Sequence, residues 1–172
     1  MIRKLLLASI ATVLLASPVA ADNATLLGVF DNWKAFASGD GSSKTCYAMS
    51  APRAMQPKGA KRSDVFLMVS DWPSRRVKGE PEIVPGYQYK LTAPLTLGIG
   101  GDRFNFFARN SGTVGAAWLQ NLNDGNALLD AMTRGVSAVA IGTSLRGTRT
   151  VDTYSLAGFN DAMTKIHAAC NM

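Results

Sequence analysis

The chain has 172 residues, with 18 Lys and Arg side chains against 12 Asp and Glu, for a formal charge of +6. This length allows one domain with a sizeable buried core, and the modest positive charge is typical either of simple solubility or of weak attraction to anionic surfaces. One His and two Cys are fewer than the four ligands of a structural zinc site, so the composition argues against a metal-built fold.

The first 21 residues have the order of a secretory signal peptide. Arg3 and Lys4 give a positive start, residues 5–16 form an apolar run, and small residues up to Ala21 suit a signal peptidase. The apolar run is shorter than the roughly 20 residues of a membrane span, and no later run is longer. Cleavage leaves one domain of residues 22–172 with 16 basic and 12 acidic residues, a charge of +4. We expect this domain in the Gram-negative periplasm or outside the cell, without a stable membrane span.

The remaining sequence consists mostly of short apolar or alternating segments separated by Gly, Pro, Asn and Asp, a pattern typical of β-strands. The segment 64–72 is apolar on both faces and is predicted to lie in the middle of a sheet, whereas prolines restrict 80–84 to an edge. In chain order, strands are predicted at 27–38, 44–51, 64–72, 80–84, 95–99, 104–106, 113–119, 136–145 and 148–154.

Two helices follow from the apolar period. The first is capped by Asn123 or Asp124 and ends at Arg134, before a glycine. The second has Ser155 as its N-cap and a continuous apolar stripe. The stripe consists of Leu156, Phe159, Met163, Ile166 and Cys170. Eight or nine strands with two helices predict a mainly β fold, a β-sandwich with a short helix and a C-terminal amphipathic helix.

The two cysteines predict one disulfide. An even count in an exported chain favours pairing, and Cys170 shares the buried stripe with Phe159 and Ile166, so it points into the domain. A bond between Cys46 and Cys170 closes a long loop and is expected to contribute at most roughly 4–5 kcal/mol. Two separate buried thiols, or metal ligation by both cysteines with His167, are the alternatives.

Two basic loops at opposite ends of the 64–72 strand are candidates for binding an anion or a protein partner. Their cations are Arg53, Lys58, Lys61 and Arg62 in the first loop and Arg75, Arg76 and Lys78 in the second, and Trp72 is the candidate aromatic anchor. Solvated loop charge without a partner is the alternative. No aromatic stacking set is interleaved with these charges, so nucleic acid is not an expected partner.

No complete catalytic set is recognisable. His167, the only histidine, is expected at the helix boundary or surface, and Glu80 and Glu82 share a proline-rich segment where both are expected to be solvated. Aspartates at strand ends, among them Asp71 and Asp152, are expected to bond local backbone. We therefore expect a non-enzymatic protein without cofactor or metal, and a hydrolase remains the alternative.

Several motifs occur in a characteristic order. They are Phe-Asp-Asn-Trp at 30–33, Cys-Tyr-Ala at 46–48, Ile-Gly-Gly-Asp-Arg-Phe at 99–104, Gly-Thr-Ser-Leu-Arg-Gly-Thr at 142–148, and the segment 152–159. Together they resemble the invasion-associated locus B family of secreted bacterial proteins. The resemblance implies an immunoglobulin-like β-sandwich, an envelope or secreted location, and an association with host-cell entry. It implies no reaction.

The sequence departs from the family at one point. Many members place a cysteine shortly after the opening Trp, but Ala35, Phe36 and Ala37 occupy those positions here, so Cys46 requires the distant Cys170. The expected function is binding. The chain either contacts a host surface or anionic envelope polymer through its basic loops, or serves as a periplasmic accessory protein that contacts a protein partner.

Overall fold

The computed structural model describes residues 24–172, so the predicted signal peptide lies outside the described residues. The two helices are α1 (Gly125–Arg134) and α2 (Phe159–Cys170). The strands are β1 (Thr25–Phe30), β2 (Trp33–Ser38), β3 (Thr45–Ser50), β4 (Ala54–Gln56), β5 (Phe66–Trp72), β6 (Val77–Val84), β7 (Leu95–Ile99), β8 (Asp102–Ser111), β9 (Val114–Leu119), β10 (Ser137–Thr143) and β11 (Arg149–Ser155).

The strands form one antiparallel sheet in the order β1-β2-β3-β5-β6-β9-β8-β7-β10-β11-β4. Opposite ends of this order are in contact, because the Asn32 amide donates to the Ala157 carbonyl at 3.3 Å and the Trp33 indole donates to the Ser155 carbonyl at 3.0 Å. The sheet therefore folds back over a shared core. The predicted mainly β sandwich with a short helix and a C-terminal helix is confirmed.

Helix α2 buries Phe159, Met163, Ile166 and Cys170 of the predicted apolar stripe and packs against β1, β2, β3 and β5. The first stripe residue, Leu156, is also buried but precedes the helix. The ring of Phe159 meets that of Trp33 edge-on, with centroids 4.9 Å apart, and both side chains are buried. Burying each such aromatic stabilises the fold by about 1.5–3 kcal/mol. The predicted cap is wrong: Ser155 ends β11, and the helix follows Gly158, whose φ of 86° and close approach to the Phe30 carbonyl leave no room for a side chain.

The predicted disulfide between Cys46 and Cys170 is confirmed. The two residues are 124 positions apart, and their Cα atoms are separated by 5.9 Å. Cys46 lies on β3 and Cys170 is the last residue of α2, so the bond ties the end of the chain to an early strand.

The first predicted strand is wrong in its extent. The segment 27–38 forms two strands, and Phe30 pairs with Trp33 across a tight turn at Asp31 and Asn32. Asp31 has a φ of 46°, a left-handed conformation that Asp and Asn adopt more readily than most residues and that ends a strand.

The predicted edge position of 80–84 is also wrong. Strand β6 has β5 on one side and β9 on the other, but β9 pairs with it only at Glu82 and Ile83. The residues of β6 before Glu82 therefore have no strand on the β9 side, and Pro81 is one of them. Proline is tolerated where one side of a strand is open.

Candidate functional site

A cleft of about 710 Å³ opens where β9 diverges from the first half of β6. Three aromatic side chains line it: Trp72 from β5, Phe107 from β8 and Trp118 from β9. Its charged side chains are Arg75, Lys78, Glu80, Glu82 and Arg109. We refer to these eight residues as the aromatic cleft.

Strand alternation directs two of the aromatic rings outward. On the paired strands β8 and β9, Phe106 and Leu119 are cross-strand partners that are buried in the core. Their chain neighbours Phe107 and Trp118 also pair with each other, and they face the opposite side of the sheet because side chains alternate along a strand. The rings of Phe107 and Trp118 lie directly across from each other with centroids 5.9 Å apart, and Phe107 is 40% exposed. The cleft thus presents a double aromatic platform to solvent.

Two of the cleft's own cations lie over its rings. The guanidinium carbon of Arg75 is 5.1 Å from the Trp72 ring centroid, and that of Arg109 is 5.7 Å from the Phe107 centroid. Arg75 also pairs with Glu80 at 3.5 Å, but its side chain is 54% exposed, so this pair contributes at most about 1 kcal/mol. The Arg75 guanidinium is therefore free to move to another acceptor at little cost.

Glu82 lies between Met68 and Trp118, its cross-strand neighbours on β5 and β9. Burial raises the pKa of Glu82 above its ordinary value of 4.5, the Trp118 indole opposes this effect, and the nearby Glu80 charge adds to it. The expectation that both glutamates are solvated is wrong, because Glu80 and Glu82 are both partly buried. Glu82 is covered by β9, a strand that is distant in sequence.

The cleft continues across the outer face of the sheet. A shallow groove of about 490 Å³ shares Trp72 and Glu82 with it and adds apolar side chains from β3 and β5. These are Tyr47, Met49, Phe66 and Met68. From β8 to β3 this face crosses five strands, and at about 4.8 Å between neighbouring strands it extends for about 19 Å.

The second predicted loop contributes Arg75 and Lys78 to the aromatic cleft. Arg75 and Arg76 are exposed in the tight turn between β5 and β6, Lys78 is exposed as the second residue of β6, and Trp72 is partly exposed at the end of β5. The structure thus brings together these three predicted cations and the predicted aromatic anchor.

The first predicted loop presents three exposed cations, but its fourth cation, Arg62, is bonded inside the protein. Arg53, Lys58 and Lys61 are exposed, and part of this segment forms the short strand β4 against β11. Arg62 is not available to a partner, because its Nη1 donates to the Asp152 carboxylate at 2.8 Å and to the Pro85 carbonyl at 3.3 Å. Its inclusion among the candidate binding residues is therefore corrected.

The two basic loops stay apart, as predicted. Arg62 bonds to the residue that follows β6, whereas Arg75 lies just before β6 begins. At about 3.3 Å per residue, the eight residues of β6 separate the two ends by about 25 Å.

Residues 33–167 match the family model of the invasion associated locus B (IalB) protein. The chain belongs to the invasion associated locus B family. The crystal structure of invasion associated protein B from Bartonella henselae is similar, with a TM-score of 0.60 and 14% identity over 84% of this chain and 98% of that chain. At this identity the likeness concerns the fold. No curated protein shows significant similarity.

One polar pair of this family member was not predicted. His167 Nδ1 lies 2.6 Å from Asp71 Oδ2, and the other Asp71 oxygen accepts a hydrogen bond from the Gly79 amide at 2.9 Å. Asp71 is fully buried and pairs in register with Cys46, so this contact and the disulfide anchor the same end of α2. The alternation of β5 carried the signal, because Asp71 shares the inward face of Leu67 and Val69, and a buried carboxylate requires partners.

Within residues 24–172, no three or more His, Cys, Asp and Glu side chains converge as a metal site would require. The helices of this part of the chain are too short or too polar to cross a membrane.

Proposed function

We propose that this invasion associated locus B family member is an exported, non-enzymatic protein that binds an anionic partner at the aromatic cleft. The observation that carries the proposal is the adjacency of three exposed cations, Arg75, Arg76 and Lys78, to an open aromatic surface. Cations attract an anionic partner at long range, while aromatic side chains supply the contact area that fixes it.

The difference between the two loops supports this choice of surface. Asp152 already neutralises Arg62 in the first loop, whereas the exposed Arg75–Glu80 pair in the second loop is weak and exchangeable. An anion arriving at the second loop therefore meets cations whose charge is still available.

Export is supported by two independent features. The first 21 residues have the pattern of a signal peptide, and Cys46 is joined to Cys170. Disulfides persist mainly in oxidising compartments such as the periplasm and the cell exterior. Envelope polysaccharides or host-surface polymers are then the anions within reach, and an association with host entry rests on the family alone.

In a non-catalytic protein, His167 has a structural role. Its Nδ1 contacts Asp71, whose other oxygen accepts a hydrogen bond from the Gly79 amide, so the pair joins a helix to a strand. A protein partner is the second candidate, since flexible Met49 and Met68 on the outer face suit an apolar protein surface.

The test compares retention of the mature protein on immobilised heparin. The triple variant R75Q/R76Q/K78Q is expected to elute at clearly lower salt than the wild type, because it loses the cations beside the cleft. Near-physiological salt is the decisive condition, and a wild type that is not retained there contradicts an anionic partner.

The matched control is R53Q/K58Q/K61Q, which removes the same charge from the exposed part of the first loop. It is expected to elute close to the wild type. Equal losses in the two variants would mean that net charge, rather than the cleft, determines retention. Retention that resists salt in every variant would mean that non-ionic contacts hold the protein to the matrix, which contradicts recognition of the anion by these cations.

A further inference from the structure

We infer that the aromatic cleft binds an acidic carbohydrate chain, which stacks on Trp118 and Phe107 and places its carboxylate or sulfate groups on Arg75 and Arg109. The inference rests on the proposed function and names the ligand class of the same site.

The rings provide the first step. One face of a pyranose ring presents C–H groups with partial positive charge, and the face of an aromatic ring is negative, so the two surfaces attract each other as they pack. Phe107 and Trp118 lie side by side with centroids 5.9 Å apart and ring planes inclined by 38°, and both are partly exposed, with the Arg109 guanidinium over the Phe107 ring. Each ring offers a face on which a sugar ring can stack once Arg109 moves to an acidic group of the ligand.

The polar groups provide the second step. Glu80 and Glu82 offer carboxylate oxygens that accept hydrogen bonds from sugar hydroxyls, and they lie beside the aromatic platform. The indole N–H of Trp72 is buried without an acceptor among the described residues, and a donor in this state favours any ligand oxygen that reaches it. A few polar groups around an apolar surface are typical of ligand sites.

The arginines decide in favour of an acidic sugar over a neutral one. Arg75 covers the Trp72 ring in the free protein, so a sugar that uses this ring must displace it. A ligand carboxylate or sulfate gives the displaced guanidinium a charge-assisted hydrogen bond, whereas a neutral sugar does not. The same cations argue against a quaternary ammonium ligand, which would meet the positive charges of Arg75, Lys78 and Arg109.

The extent of the surface favours a chain over a single sugar. The groove beyond Trp72 and Glu82 continues across β5 and β3, and the whole face is about 19 Å wide. Phe36 and Tyr47 stack at its far end with centroids 5.2 Å apart, which adds another ring surface along the path. Several linked sugar residues therefore have contacts available.

The experiment measures the affinity of the mature protein for three probes by calorimetry, with tryptophan fluorescence as a second readout. The probes are a heparin hexasaccharide, maltohexaose and hexaglutamate. Trp33 is fully buried, so fluorescence changes report Trp72 and Trp118. We expect the hexasaccharide to bind at least tenfold more tightly than either of the other probes.

Ring variants separate stacking from charge. Trp118→Leu is expected to weaken hexasaccharide binding at least tenfold and to leave hexaglutamate binding unchanged. Phe107→Leu repeats the test at a more exposed ring, so a folding defect at Trp118 does not decide the result. Leu145→Ala, an exposed apolar change on the turn between β10 and β11, is the control and is expected to leave all affinities unchanged.

Each other outcome overturns a defined part of the inference. Maltohexaose binding as tight as that of the hexasaccharide overturns the requirement for acid groups. Equal binding of hexasaccharide and hexaglutamate, unaffected by either ring variant, overturns the carbohydrate while the anionic partner of the proposed function stands. Failure of both acidic probes to bind overturns the proposed function as well.

Discussion

Two arginines in similar basic loops, Arg62 and Arg75, have opposite environments. Arg62 bonds both oxygens of Asp152, and the two side chains are only 5% and 3% exposed. Arg75 makes one contact of 3.5 Å with Glu80, and these side chains are 54% and 24% exposed. The same residue type thus stabilises the interior in one loop and remains available at the surface in the other.

The difference comes from the strand that faces each loop. Asp152 lies on β11, 90 residues beyond Arg62, and it is directed inward by the alternation of that strand. Glu80 is only five residues from Arg75 and lies on the outer face of β6. A cation in a loop is therefore available to a partner only when no inward-facing carboxylate from a distant strand reaches it.

The largest expected effect concerns the covalent link that closes the interior. Cys46→Ser and Cys170→Ser each delete the same bond, so each is expected to lower the free energy of unfolding by a similar amount, at most roughly 4–5 kcal/mol. Urea unfolding of the oxidised wild type and both variants measures this. Strongly unequal losses would contradict a single shared bond as the source of the effect.

The next effect tests the arginine comparison directly. Arg62→Met leaves the Asp152 carboxylate buried without its partner and is expected to cost about 3–5 kcal/mol in urea unfolding. Arg75→Met removes an exposed contact and is expected to cost at most about 1 kcal/mol. Similar costs for the two variants would remove the distinction between an interior and an available arginine.

The sequence predicts the regular part of this fold because alternation and helical period are local. The stripe of α2 and the strand that carries Cys46 follow from neighbours only a few residues away, and they bring the two cysteines onto facing elements. The turn at Asp31 and Asn32 was missed although this polar pair between Phe30 and Trp33 is a turn signal, because the apolar residues on both sides of it have the pattern of one continuous strand.

The site was less predictable because its members come from strands that pair over long distances. Trp72 and the second loop are contiguous in sequence and were predicted together. Phe107 and Trp118 join them only because β9 pairs with β6, which local patterns do not reveal. The sequence could have shown only that Phe107 and Trp118 face outward, because each is the chain neighbour of a residue on the buried face, Phe106 or Leu119.

A smaller effect is expected at the polar contact that anchors α2. His167→Ala removes one partner of the buried Asp71 and leaves the Gly79 amide as its other recorded partner. The cost is expected to be about 1–3 kcal/mol, as for a buried acceptor left partly unsatisfied. Urea unfolding measures this cost, and hydrogen exchange locates it at the C-terminal end of α2. An unchanged unfolding midpoint would mean that the disulfide alone holds this end.

The smallest effect distinguishes the cleft from the interior by its response to pH. Because burial raises the pKa of Glu82, the folded protein holds this proton more tightly than the unfolded chain does. Stability from Glu82 is therefore greatest below the ordinary value of 4.5 and falls as the pH rises through the raised pKa. Glu82→Gln has no charge to desolvate, so its stability relative to the wild type is expected to increase across this pH range. Thermal unfolding at a series of pH values checks this, and parallel curves for the two proteins would mean that the carboxylate is solvated and the cleft is more open than its geometry indicates.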